Sequence, residues 1–187
     1  VLTVPSRHPY VAAVRPAGVV PVRPERVRGW EPDPFLHPDR VAEWADEIDL
    51  VHLHFGFDHL DAADVRRWLD ALTAARLPLV FTVHDLRNPH HAHRSAHDAA
   101  LARLIPAAAA VLTLTEGAAA EIRSRFGRPA VVVTHPTLVD PSRSADVVTE
   151  PGLVLLHLKS LRRNLVDPVD LVRAAARGAT AGGGRLR

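Results

Sequence analysis

The chain has 187 residues, 47% of them hydrophobic, enough for one well-packed domain with length to spare, and no apolar run is long enough to span a bilayer. Its formal net charge is +2 and its pI near 9.9, a pairing that reflects arginine's high pKa, since Lys159 is the only lysine. The absence of cysteine excludes disulfides and thiolate metal sites, and the lack of a basic block interleaved with aromatics argues against a nucleic-acid partner.

Residues 1–4, Val-Leu-Thr-Val, read as a first core strand. They lack the charged n-region and long apolar h-region of a signal peptide, so a cytoplasmic protein is the expectation. The polar turn Pro5-Ser6-Arg7-His8-Pro9 follows, then a short segment over 10–14 and a second strand over 19–22. Residues 23–37, rich in proline and charge, read as an irregular connection. Pro38 suits the first turn of a helix reaching about Glu47, with Val41, Trp44 and Ala45 on one face.

Two apolar runs then stop abruptly on histidine: Leu50-Val51-His52-Leu53-His54-Phe55-Gly56 and Leu79-Val80-Phe81-Thr82-Val83-His84-Asp85. Between them, 61–75 has the periodicity of an amphipathic helix. Strand, helix and strand at this spacing predict a right-handed βαβ unit with parallel strands. Both histidine-bearing ends then lie on one carboxyl edge, where open α/β sheets bind ligands.

After a polar loop over 87–94, Ser95 with Asp98 is a capping-type start for a helix through Leu101, Leu104 and Ile105. A strand over 111–114 follows, then a helix over 116–126 capped by Thr115 and stopped by Gly127, and a strand over 130–134. Residues 137–152 lack periodicity and read as a linker. A strand over 153–157 and a helix over 167–177 make one further βα unit with no sheet to join, which reads as the opening of a second, truncated domain. The expected fold is α/β, a doubly wound, mostly parallel sheet of about six strands; the rival is a flavodoxin-like single domain that takes Leu153 into the same sheet.

His84 and Asp85 are the candidate catalytic residues, because a strand end at this edge faces a cleft. A His-Asp pair that only caps a turn is the plainer alternative. His52 and His54 alternate around Leu53 and so share a face; His54, nearer the strand end, is the better site residue. His84, Asp85, His90, His91, His93 and His97 invite a metal reading, but they lack helical ligand spacing, and no metal site is expected. No Gly-x-Ser-x-Gly elbow occurs, which removes a Ser-His-Asp hydrolase. Trp44 and Trp68 fall at helical positions and read as core.

The ordered set Asp49-Leu50-Val51-His52-Leu53-His54-Phe55-Gly56, Phe81-Thr82-Val83-His84-Asp85, Val111-Leu112-Thr113-Leu114-Thr115-Glu116-Gly117 and Val131-Val132-Val133-Thr134-His135-Pro136 resembles the amino-terminal half of a GT-B-fold retaining glycosyltransferase of the family 4 type. Leu158-Lys159-Ser160-Leu161-Arg162-Arg163-Asn164 resembles the opening of that fold's second domain. The resemblance implies a Rossmann-like acceptor-side domain over 1–136 and the first βα unit of a donor-binding domain over 153–187. It implies transfer of a sugar from a nucleotide-diphosphate donor to an acceptor hydroxyl with retention, in a full-length parent; the chain alone is expected to be inactive. The donor is substrate, so no cofactor is implied. His8, Tyr10, His54 and Gly56 would bind the acceptor, and Lys159 and Arg163 the donor diphosphate. The acceptor would be a small molecule, a glycan or a lipid-linked group, with peripheral membrane contact open. A non-catalytic α/β ligand-binding or interaction domain is the alternative.

Overall fold

The computed structural model describes residues 1–22, 32–88, 93–138, 142, 148–158 and 167–187. Its elements are β1 (Leu2–Val4), α1 (Pro9–Ala13), α2 (Pro38–Trp44), β2 (Val51–Leu53), α3 (Ala62–Ala74), β3 (Leu79–Val83), α4 (Ser95–Ala107), β4 (Ala110–Thr113), α5 (Glu116–Phe126), β5 (Val131–Val132), β6 (Leu153–Val154), α6 (Pro168–Ala181) and β7 (Arg185–Leu186). Contacts group the chain into two compact units, Val1–Arg87 with Arg94–Leu138, and Asn88–His93 with Val139–Arg187.

In the first unit, five strands form a parallel sheet in the order β1-β2-β3-β4-β5. Each step from β2 to β5 moves the same way, so right-handed crossovers place α3, α4 and α5 on one face. The chain leaves β1 in the opposite direction. Val22 bridges Leu2 in parallel and donates its N–H to the Val1 carbonyl at 2.9 Å, while the Leu2 N–H serves the β2 side through Leu50. The winding therefore reverses at β1, and α1 crosses the other face. The sheet is doubly wound.

Strand alternation sorts the two faces. Leu2, Val4, Val51, Leu53, Phe81, Val83 and Val111 point to the main core, where they meet Val41, Val65, Trp68, Leu72, Leu101, Leu104 and Ile122. Burial there is complete because the helices carry apolar stripes at helical spacing. Trp68 is fully buried and donates Nε1–H to the Phe35 carbonyl at 2.9 Å, anchoring the connection before α2. Asp61 and Asp64 form a reciprocal capping box at the start of α3: Asp61 Oδ1 accepts from the amides of Ala63 and Asp64, and Asp64 Oδ2 accepts from the Asp61 amide. Asp61→Ala is expected to lower the urea midpoint with an unchanged slope, since two amides of the first turn lose their acceptor.

The other face carries Thr3, His52, Val80, Thr82 and Leu112, and among the described residues the short α1 and the segment after it lie over it. His52, Val80 and Leu112 are merely half-buried there. Parallel sheets are usually covered on both faces, and the described residues leave this face under-filled.

Several expected elements differ. The short segment over 10–14 is mostly a helix, α1 (Pro9–Ala13) with Val14 as its C-cap, because Pro9 starts it and His8 Nδ1 accepts from the Tyr10 amide at 3.2 Å. The strand expected over 19–22 is reduced to the bridge at Val22; Pro16 and Pro21 supply no amide protons to a ladder. The sheet has five strands rather than about six among the described residues. The helix from Pro38 gives way at Ala45 to a 3₁₀ turn, Ala45–Glu47.

In the second unit, β6 finds a parallel partner after all. It pairs with β7 through Leu153 to Arg185 and Val154 to Leu186, with α6 as the crossover. Sequence reasoning missed β7 because two residues at the end of a glycine-rich stretch carry no strand periodicity. Gly184 is required there: a Cβ would collide with the Gly152 carbonyl oxygen. Lys159 and Arg163 lie outside the described residues.

Candidate functional site

Register brings the histidines together. β2 and β3 pair Leu53 with Phe81, and the His54 amide donates to the Val4 carbonyl at 2.8 Å, so β1, β2 and β3 end side by side. The period of two then sends His52, His54, Thr82 and His84 to the same face, the one under α1. This edge adjoins the reversal at β1, the position at which doubly wound sheets open a crevice.

Tyr10, on the first turn of α1, is the hub. Its ring centroid lies 4.8 Å from that of His84 and 5.6 Å from that of His54, both near edge-on, and 4.9 Å from that of His135. His54 stacks on His52 at 3.9 Å, and its Nδ1 lies 3.4 Å from His84 Nε2. His52 Nε2 shares a hydrogen bond with Thr82 Oγ1 at 2.8 Å. Phe55 closes the side, 4.8 Å from His8 and 5.3 Å from His84.

His52, His54 and His84 are uncharged at neutral pH. Burial lowers His52 and His84 from 6.5 to about 4. Burial again dominates at His54, lowered to about 2, with the positive charges that His52, His84 and His8 would carry adding to it. Burial raises the Tyr10 phenol. Neutral imidazoles each offer one donor and one acceptor, and the rings offer flat faces. Such a set suits the hydroxyls and ring faces of a neutral polyol. With its pKa near 4, His84 is a weak base and acts better as a hydrogen-bonding group than as a proton abstractor.

Of the residues singled out from sequence, His8, Tyr10, His54 and His84 converge. Gly56 follows on the exposed turn after β2 with φ +91°; nothing would touch a Cβ there, so its role is conformational. Asp85 is exposed, and its carbonyl accepts from His97 Nε2 at 2.9 Å. That bond assigns His97 to pinning the loop after β3, with its ring stacked over Phe57. Among the described residues no group of three His, Cys, Asp or Glu side chains is placed to hold a metal ion, and no helix is long and apolar enough to cross a membrane. His90 and His91 lie outside the described residues.

Sequence reasoning passed over His135, Phe55 and Thr82. For His135 the signal was present: Val131-Val132-Val133-Thr134-His135 is a third β-branched run that stops on histidine. Thr82 had no separate signal, since its value lies in a partner thirty residues away.

Comparison with known proteins agrees with this geometry. No curated protein matches the chain. The family model described as Glycosyltransferase Family 4 matches residues 1–143, which takes in the whole five-stranded sheet and every strand-end histidine of the cluster. A doubly wound sheet with its polar cluster at the reversal, matched over that length, places the chain in glycosyltransferase family 4.

Proposed function

We propose that this chain forms the acceptor side of an enzyme that moves a sugar from a nucleotide-diphosphate donor to an acceptor hydroxyl with retention of configuration. A bond forms between the acceptor oxygen and the anomeric carbon, the bond from that carbon to the diphosphate oxygen breaks, and the hydroxyl proton is released. Family membership supports the reaction class. The observation that carries the site is the convergence of His54, His84 and Tyr10 at the carboxyl edge beside the reversal of winding.

In this reading His84 hydrogen-bonds the reacting sugar or acceptor, with Asp85 following it on the loop. His8, Tyr10, His54 and Gly56 shape the acceptor pocket. Residues 1–136 are the acceptor-side domain, 137–152 a linker, and 153–187 the opening of a donor domain. Lys159 and Arg163 would meet the leaving diphosphate, whose developing negative charge a cation stabilises.

The test is incubation of a protein carrying both domains with a panel of nucleotide sugars and hydroxyl acceptors, following release of nucleoside diphosphate and the product's anomeric configuration. Transfer with retention is the expected result. Neither hydrolysis nor transfer across the panel would make the chain a non-catalytic ligand-binding domain, and an inverted product would overturn the stereochemical part.

A further inference from the structure

Beneath α1, the under-filled face of the sheet encloses a cavity of about 340 Å³. Its walls are mostly apolar: Val11 and Val14 come from α1 and its end, Val80 and Leu112 from β3 and β4. Among this lining, three polar groups are left without a hydrogen-bond partner: Thr3 Oγ1, His54 Nε2 and Arg15 Nε. Thr3 is 5% and His54 2% exposed, so solvent does not serve either side chain. Buried polar atoms are ordinarily paired, and each orphan carries a desolvation cost that a bound oxygen removes.

The cavity also touches the catalytic edge. Tyr10 and His54 line it and at the same time pack against His84. Its other end reaches Val1 and Leu50, at the amino ends of the strands. An interior void of ~150 Å³ accommodates one benzene ring. This one has room for about two fused rings or a short chain of similar bulk, and small-molecule pockets begin near this size.

We propose that this cavity is the seat of an apolar aglycone: the acceptor is a hydroxylated, largely apolar molecule about two fused rings in size, its polar atoms meeting His54 and Thr3. A fully polar saccharide would strand its hydroxyls against valine and leucine, whereas a hydrocarbon without a hydroxyl would leave His54 and Thr3 unpaired. The word acceptor rests on the transferase reading above; the binding site itself does not.

The experiment titrates the 187-residue chain with 2-naphthol and with naphthalene, following probe fluorescence and amide chemical shifts of the protein. Saturable binding of both is expected, with 2-naphthol favoured at least fivefold. Leu112→Trp, which fills the cavity, should weaken both probes tenfold or more. His54→Phe and Thr3→Val, which keep the bulk and delete the polar atom, should narrow the preference for 2-naphthol while leaving naphthalene bound. Circular dichroism of each variant identifies any that fail to fold, and the wild-type preference together with either remaining polar variant then decides the matter. Absence of saturable binding, equal affinity for the two probes, or folded Leu112→Trp protein that binds both as before would overturn the proposal. Because no donor or turnover enters these measurements, they separate the cavity from the transferase reading. A complete enzyme that transfers sugar while the cavity binds neither probe refutes only the former, and binding without any transfer refutes only the latter.

Discussion

Replacing His84 by alanine is expected to lower kcat/KM of the complete enzyme by about 10²- to 10³-fold, the range seen when one positioned hydrogen-bonding group is removed from a reacting centre. The loss should fall mainly on kcat if the imidazole contacts the reacting groups only in the transition state, and on KM if it holds the ground-state acceptor. Stability should drop by only about 1 kcal/mol, because His84 is half-buried and meets His54 and the rings of Tyr10 and Phe55 rather than the main core. The low pKa sharpens the expectation. A group near 4 is neutral throughout the physiological range, so the wild-type rate should show no limb between pH 6 and 8 assignable to His84. A variant with wild-type kcat/KM would remove His84 from the site and leave the cluster a structural feature.

The second large effect is on stability in acid. His52 and His84 take up a proton near 4 in the folded chain and near 6.5 when unfolded, so between those values the unfolded chain holds more protons and stability rises with pH. Their contribution is complete above about 6.5 and is lost as the pH falls through about 4. Each should cost on the order of 2 kcal/mol between pH 7 and pH 5, and His54, packed between them, should deepen the loss. Urea denaturation at the two pH values measures it. His52→Gln, which keeps a nitrogen near Thr82 but cannot titrate, should flatten the profile by its share. Parallel profiles for wild type and variant would show that the buried histidines do not govern acid unfolding.

How much was legible beforehand follows from what is local. The runs ending at His54 and His84 announce strands because β-branched and aromatic residues cluster in them, and the helix between them announces parallel pairing. From this, the doubly wound sheet and the meeting of His54 with His84 could be read without coordinates. The cap at Thr115 was equally plain, its partner lying within three residues; the one expected at Ser95 does not form, because Ser95 is already the first residue of α4 and Arg94 precedes it without a side-chain cap bond. What stayed hidden is non-local. Tyr10 was a candidate on resemblance, but its place as the hub depends on a helix of five residues that hydrophobic periodicity is too short to reveal. The parallel partner of β6 depends on two residues some thirty positions downstream. The cavity under α1 could not be foreseen at all, because a pattern records what packs and not what is missing.

The reversal of winding at β1 also bears on how the chain is made. β1 is not an edge but an interior strand, bounded by the bridge to Val22 on one side and by β2 on the other. Its partner in β2 is synthesised roughly fifty residues later, a separation whose closure entropy is met only once α3 and β3 are available to reward it. β1 therefore waits, apolar and unpaired on its β2 edge, while the residues up to β2 and β3 are translated. During synthesis the β1 edge is thus left open until its neighbour arrives, a stretch of apolar backbone that a nascent-chain chaperone could cover.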